Sequence, residues 1–189
     1  MRTGEKWDAD AFWVQPVVPQ GNKLDRADNQ QNFAGGFLTY KPRKGTTLDL
    51  YGLVLDNGNS IAQQGLTRGP FTVGTFGSRY AGDVTGKVLF DCEGAVQLGN
   101  INAPAVREDV VAGFATTGLG YCWADAPTKP TLWLYYDYAS GDRSPNAGRS
   151  TTFNQLYPFG HYYLGWATWW AGRTSTTSTC STTCTRPSG

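Results

Sequence analysis

Short β-like runs separated by turn-forming residues constrain this 189-residue chain more than any other feature. The runs cover residues 7–18, 33–40, 46–55, 70–80, 87–98, 110–123 and 131–139, and an eighth begins near Phe159. No segment keeps a sustained 3.6-residue apolar period, although residues 105–114 are compatible with a helical turn. Strands at this spacing without helices predict an all-β fold, either an antiparallel barrel or a sandwich.

Alternation within the runs gives each predicted strand one apolar face and one mixed face. In residues 131–139 the apolar face comprises Leu132, Leu134, Tyr136 and Tyr138, and the mixed face comprises Trp133, Tyr135 and Asp137. Asp49, Asp91 and Glu93 lie on the mixed faces of their own runs. A membrane barrel directs the apolar face to lipid and the polar face to the lumen. A soluble sandwich buries the apolar face instead, so alternation alone leaves both folds open.

Composition alone is compatible with both folds, and the position of Tyr and Trp near strand ends favours the membrane barrel. Charged residues make up 16% of the chain, compared with roughly 25% in typical soluble domains. Tyr and Trp near strand ends are typical of the aromatic girdles of membrane barrels. The net charge of +1 gives no indication of a nucleic-acid partner. The spacing of the four cysteines predicts neither a metal site nor another cofactor.

Several segments resemble one family of bacterial outer-membrane proteins. They read WDADAFWVQPV (7–17), DNQQNFAG (28–35), LDLY (48–51), FDCEGAVQLG (90–99), YDYASGD (136–142) and TFNQLYPFGH (152–161). Together they are similar to the alginate export family. The resemblance implies a monomeric antiparallel transmembrane β-barrel in the outer membrane, surrounded by lipid. It also implies that an anionic polysaccharide, or smaller anionic solutes, pass through. The seven or eight predicted strands would form an incomplete portion of such a barrel.

The two ends of the sequence differ from the strand-like runs between them. Residues 1–6 contain no apolar h-region, so the signal peptide of an outer-membrane protein is expected upstream. The barrel domain is predicted to cover residues 1–167. Residues 168–189 are rich in Ser and Thr and are predicted to be either a frameshifted reading or a disordered tail.

The chain shows no sequence motif of a known catalytic class, and we predict that it is not an enzyme. Its single histidine, His161, lies in an aromatic segment with no nucleophile motif nearby. The alternative is a soluble all-β carbohydrate-binding module or glycosidase. In that alternative Asp91, Glu93 or Asp137 would serve as acid and base.

An anionic polymer calls for positive side chains at the narrowest part of a pore. The candidate pore-lining residues are the cations Arg79, Lys87 and Arg143 and the carboxylates Asp49, Asp91, Glu93 and Asp137. The loop 141–152, rich in Gly, Ser and Asn, fits an extracellular loop or a constriction loop folded into the barrel. The sequence leaves these two placements open.

Overall fold

A computed structural model describes residues 2–18, 24–59, 70–103, 106–142, 148–156 and 177–183, the last of these as backbone only. Its strands are β1 (Arg2–Thr3), β2 (Trp7–Val14), β3 (Val17–Val18), β4 (Arg26–Ala27), β5 (Gln31–Arg43), β6 (Thr46–Asn57), β7 (Phe71–Asp83), β8 (Val88–Ala103), β9 (Val106–Cys122), β10 (Thr131–Ala139), β11 (Arg149–Ser150) and β12 (Thr177–Thr183). Among these residues no helix is long and apolar enough to cross a membrane.

One large sheet contains nearly all of these strands. Its order is β1-β2-β5-β6-β7-β8-β9-β10-β12, and each neighbouring pair is antiparallel. The short β11 pairs with β9 in parallel, and β3 and β4 form a separate two-stranded sheet. Within the described ranges β1 and β12 form the two edges, so this sheet is open. The predicted all-β antiparallel architecture is confirmed.

Strand pairing sets the strand bounds more than local sequence does. β10 occupies the predicted residues, but β8 and β9 extend to 16 and 17 residues. They are long because an uninterrupted ladder joins them from the Val88–Tyr121 pair to the Ala103–Val106 pair. The helical turn considered for residues 105–114 is therefore wrong, because cross-strand hydrogen bonds and packing override a weak local pattern.

The first predicted run, 7–18, is divided into β2 and β3. Pro16 lies at the break, and proline has no backbone N–H to donate to a ladder. The eighth run, near Phe159, and the domain boundary at residue 167 lie outside the described residues. The backbone of β12 pairs with β10 from residues 177 to 183. This pairing does not report on the reading frame, so the frameshift stays a prediction.

The hydrophobic core lies on one side of the sheet. It contains Leu55, Phe71, Val73, Ile101, Ala103, Val110 and Leu156, with Phe33 and Leu53 packed against it. Leu156 belongs to the segment that follows β10, whereas the other members belong to strands β5 to β9. The chain after β10 therefore folds back over one face of the sheet and covers part of it.

Candidate pore-lining face

One face of the sheet is exposed and apolar. Every exposed large hydrophobic residue of β6 to β10 lies on it: Leu50, Val54, Phe76, Tyr80, Val96, Leu98, Val111, Leu119, Tyr121, Leu132, Leu134, Tyr136 and Tyr138. We call this the apolar face. Along the described residues 48–54, 74–80, 90–98, 111–121 and 132–138, it carries no charged side chain. Soluble monomers rarely expose an apolar surface of this extent, so this face requires an apolar environment.

Aromatic pairs lie along the apolar face near the ends of its strands. Trp7 and Tyr40 stack with ring centroids 4.3 Å apart, and Tyr80 and Phe90 meet at 4.9 Å. Rings with one apolar and one polar edge are favoured where a membrane meets water. The predicted aromatic enrichment at strand ends therefore lies on the face that needs an apolar environment.

The opposite face carries a continuous row of polar residues, which we call the polar belt. Its members are Asp8, Thr39, Asp49, Arg79, Glu93, Thr116 and Asp137, one from each of the strands β2, β5, β6, β7, β8, β9 and β10. Each is the direct cross-strand partner of the next. Because side chains alternate along a strand, direct partners project from the same face of the sheet. The belt therefore crosses seven neighbouring strands on a single face.

Hydroxyl groups hold several carboxylates of the polar belt. The Thr39 hydroxyl donates to Asp49 at 2.6 Å, and the Thr116 hydroxyl donates to Asp137. Glu93 accepts a hydrogen bond of 2.6 Å from the phenol of Tyr51. These bonds orient the acidic side chains without neutralising them. Asp8 differs, because its carboxylate forms an ion pair with Lys41.

Arg79 is the one cation among the seven belt residues. Its Nε and Nη2 donate to Oδ1 and Oδ2 of Asp91 at 2.8 and 2.7 Å, a bidentate arrangement. Asp91 lies one inner-facing position along β8 from Glu93, and its side chain is only 12% exposed, whereas that of Arg79 is 44% exposed. The phenol of Tyr135 also reaches Asp91, at 3.4 Å. Arg79 therefore compensates a nearly buried carboxylate while remaining accessible.

Five of the seven predicted site residues meet on the polar face: Asp49, Arg79, Asp91, Glu93 and Asp137. Lys87 lies elsewhere, in the turn between β7 and β8, where its Nζ donates to Asp125 at 2.6 Å. Arg143 lies outside the described residues. The grouping of the five follows from the register of the strands, and their role in lining a pore stays a prediction.

A second polar cluster on this face was not predicted from the sequence. The fully buried side chain of Gln97 donates to the carbonyl of Asn154 at 2.7 Å and to the hydroxyl of Thr75 at 3.0 Å. It also accepts a bond of 2.8 Å from the backbone N–H of Asn154. The only sequence signal was the position of Gln97 on a mixed strand face. Its partner lies 57 residues away, beyond the reach of any local pattern.

These contacts fix the end of residues 148–156, which we call the inner segment, against the polar face. Phe153 packs on Phe114 of β9 with ring centroids 4.8 Å apart, and Leu156 enters the core. Thr75, the partner of Gln97, lies four residues along β7 from Arg79, or about 13 Å at 3.3 Å per residue. The inner segment and the polar belt therefore occupy different levels of the same face. Within the loop 141–152, Arg149 and Ser150 pair with Asp109 and Val110 of β9, and both placements given for the loop stay predictions.

Glycines on the polar face make room for aromatic rings of the next strand. A Cβ added to Gly77 would lie 2.4 Å from the ring of Tyr51. The same addition to Gly118 would meet the ring of Tyr135 at 2.4 Å, and at Gly120 it would meet the indole of Trp133 at 2.7 Å. The rings thus lie across neighbouring strands at positions that only glycine leaves free.

A model of the alginate export family matches residues 1–171, which is most of the chain. The chain belongs to the alginate export family. This confirms the resemblance seen in the segments between residues 7 and 167. Members of the alginate export family are β-barrels, and the family is one of transport porins. No curated protein and no solved structure shows significant similarity to the chain.

Membership of the alginate export family is consistent with the two different faces of the sheet. In an outer-membrane barrel the apolar side faces lipid and the polar side faces the lumen. The open sheet fits a portion of such a barrel wall, and its apolar face is uncharged along the residues given above. That the polar belt and the inner segment lie on the lumen side stays a prediction.

Proposed function

We propose that this protein is a porin-like channel of the outer membrane. It passes an anionic polysaccharide of the alginate type, or smaller anionic solutes, without catalysing a reaction. Family membership supports the general role. The observation that carries the proposal is an uncharged apolar face backed, on the same strands, by a charged belt. A wall of this kind places lipid on one side and a hydrated path on the other.

Within this proposal the barrel acts as a monomer whose partners are the lipid of the outer membrane and the passing solute. The 9 to 17 residues of β5 to β10 are sufficient for transmembrane strands, which need about 9–11 residues. The inner segment narrows the lumen at one level, and the polar belt sets its charge at another.

Arg79 is the belt residue that we propose contacts the carboxylates of an anionic solute. It is accessible, and it lies between Asp49 and Glu93 in the register of the sheet. These flanking carboxylates weaken the attraction of Arg79 for anions, which favours transient contact over tight binding. Conduction requires contacts weak enough for the solute to leave. Lys87 and Arg143 remain predicted contributors to the same path.

Cell fractionation tests the proposed location against the soluble alternative. We expect the full-length protein in the detergent-soluble envelope fraction, with faster migration on gels when the sample is not heated. A soluble carbohydrate-binding module or glycosidase would remain in the aqueous fraction and would migrate identically with and without heating. That second outcome would contradict the proposed function.

A further inference from the structure

Two aromatic rings of β10, Trp133 and Tyr135, lie side by side on the polar face. Their ring centroids are 5.4 Å apart and their planes differ by 20°. The chain position between them, Leu134, projects from the opposite face and is 60% exposed. Trp133 and Tyr135 thus form a pair with nearly parallel ring planes on the side of the sheet that carries the polar belt.

Both rings pack against glycines of the neighbouring strand β9. The central atoms Cδ2 and Cε2 of the Trp133 indole are those nearest to a Cβ placed on Gly120, as expected for a ring lying face-on over the glycine. Tyr135 contacts Gly118 through Cε1, Cδ1 and Cζ, on one side of its ring, and both glycines are buried. Each ring therefore packs against β9. Both rings are only half-buried, so each keeps exposed surface.

Carboxylates lie beside this aromatic pair. The Tyr135 phenol is 3.4 Å from Oδ2 of Asp91, and Asp137 follows on the same face of β10. Carboxylate oxygens are strong acceptors for hydroxyl donors. Flat apolar surfaces next to acceptors suit a ligand that combines an apolar ring face with a rim of hydroxyl groups. A pyranose ring has this chemistry, because its C–H groups pack on the electron-rich face of an aromatic ring.

We propose that Trp133 and Tyr135 form a stacking subsite for the pyranose rings of a polysaccharide in the lumen. The sugar ring packs on the exposed surface of the two rings, and its hydroxyl groups donate to Asp137, which follows them on the same face of β10. The subsite binds the sugar ring and its hydroxyl groups, whereas Arg79 attracts the carboxylates of the solute. This inference rests on the proposed function, since only a lumen-facing pair meets the passing polymer.

Binding of two oligosaccharides of equal length tests the subsite. The folded full-length protein in detergent is titrated calorimetrically with a neutral β-1,4-linked glucose hexamer and with a β-1,4-linked uronate hexamer. We expect Trp133→Ala to weaken binding of both by about tenfold, a typical loss for one stacked ring. Trp133→Phe keeps a flat ring and is expected to retain most of the affinity.

A matched substitution on the other face provides the control. Trp13 lies on the apolar side of β2 and is 65% exposed, so Trp13→Ala should leave the binding of both hexamers unchanged. Heat-dependent gel migration confirms that each variant is folded. Unchanged binding of both hexamers by folded Trp133→Ala and Tyr135→Ala variants would overturn the subsite. So would wild-type protein that binds neither hexamer.

Ion conduction in a lipid bilayer is measured on the same samples and reports on the proposed function separately. If the Trp133→Ala and Tyr135→Ala variants form conducting channels and bind both hexamers as tightly as the wild type, the subsite is overturned. The proposed channel function is then retained. Protein that binds both hexamers through Trp133 but forms no conducting channel would support the subsite and contradict the proposed function.

Discussion

At the scale of single residues, the polar face contains two kinds of close side-chain contact. Glycines lie under aromatic rings, and a bidentate ion pair joins two neighbouring strands. Strand register sets the partners of the glycines, whereas Arg79 binds Asp91, one inner-facing position along β8 from its register partner Glu93. Changes at these residues should therefore have effects that differ sharply from the same change a few positions away.

Gly118→Ala should destabilise the protein by about 1–3 kcal/mol, the usual cost of overpacking. The new Cβ would lie 2.4 Å from the Tyr135 ring, which must move away and lose its contact with Asp91. Urea unfolding in detergent or lipid measures the change. Gly36→Ala is the matched control, because the atom nearest to its new Cβ is 3.5 Å away. Equal stabilities of the two variants would contradict the described packing.

Arg79→Ala should lower the free energy of unfolding by about 1–2 kcal/mol, less than for a fully buried pair because the Arg79 side chain is 44% exposed. It should also shift the ion preference of the channel towards cations, since the belt loses its positive side chain. Reversal potentials across a salt gradient measure this preference.

Arg79→Lys separates charge from geometry in the same measurements. Lysine keeps the positive charge but cannot form the bidentate bond to Asp91. We expect the ion preference of this variant to remain near that of the wild type while part of the stability is lost. A shift towards cations as large as that of Arg79→Ala would show that the charge of Arg79 does not act on the permeating ions.

At the scale of elements, one buried side chain joins the inner segment to β8 by hydrogen bonds. Gln97 makes all three of the side-chain hydrogen bonds that join Thr75 and Asn154 to β8. Its removal leaves the buried N–H and carbonyl of Asn154 without that partner. Each unsatisfied buried group costs about 1–3 kcal/mol, which is enough to shift a short segment away from the wall.

Gln97→Leu should therefore increase single-channel conductance, because the inner segment no longer narrows the lumen at its original position. The leucine fills similar space but cannot form hydrogen bonds. Gln155→Ala, at an exposed position of the same segment, should leave conductance unchanged. Identical conductance of folded Gln97→Leu and wild-type channels would contradict the assignment of the inner segment as a constriction.

Local sequence predicted the elements better than the contacts between them. Alternation in residues 131–139 identified both the strand and its two faces, because period two is a property of the strand itself. The length of β9 depends on pairing with β8, so the local pattern of residues 105–114 was misleading. The charged residues of the site were identified from the same alternation. Their partners were not, since Arg79 faces Glu93 in register but binds Asp91.

For the whole molecule, the proposed channel requires that the apolar face of the sheet contacts lipid and that the polar face contacts water. The same strands carry an uncharged apolar face and a charged polar face. The effect of a substitution on stability therefore depends more on the face that carries it than on its position in the sequence. A charge placed on the apolar face must enter lipid, whereas the same charge on the polar face meets water and carboxylates.

Leu119→Lys should destabilise the membrane-inserted protein by up to about 2–4 kcal/mol, the cost of a lysine on the lipid face near the bilayer midplane. Leu119 is 62% exposed on the apolar face. Thr116→Lys, on the same strand but in the polar belt, places its charge between Glu93 and Asp137 and should cost far less. Folding from urea into lipid vesicles measures both, and equal costs would contradict the assignment of the faces.

Single-channel recording of the purified full-length protein in planar lipid bilayers shows directly whether this protein forms a channel. We predict discrete conducting steps that are interrupted when uronate oligomers are added to one side. Heat-dependent gel migration of the same preparation shows that the protein is folded. A folded, inserted protein that produces no conducting steps would contradict the claim that this wall of apolar exterior and polar interior encloses a channel.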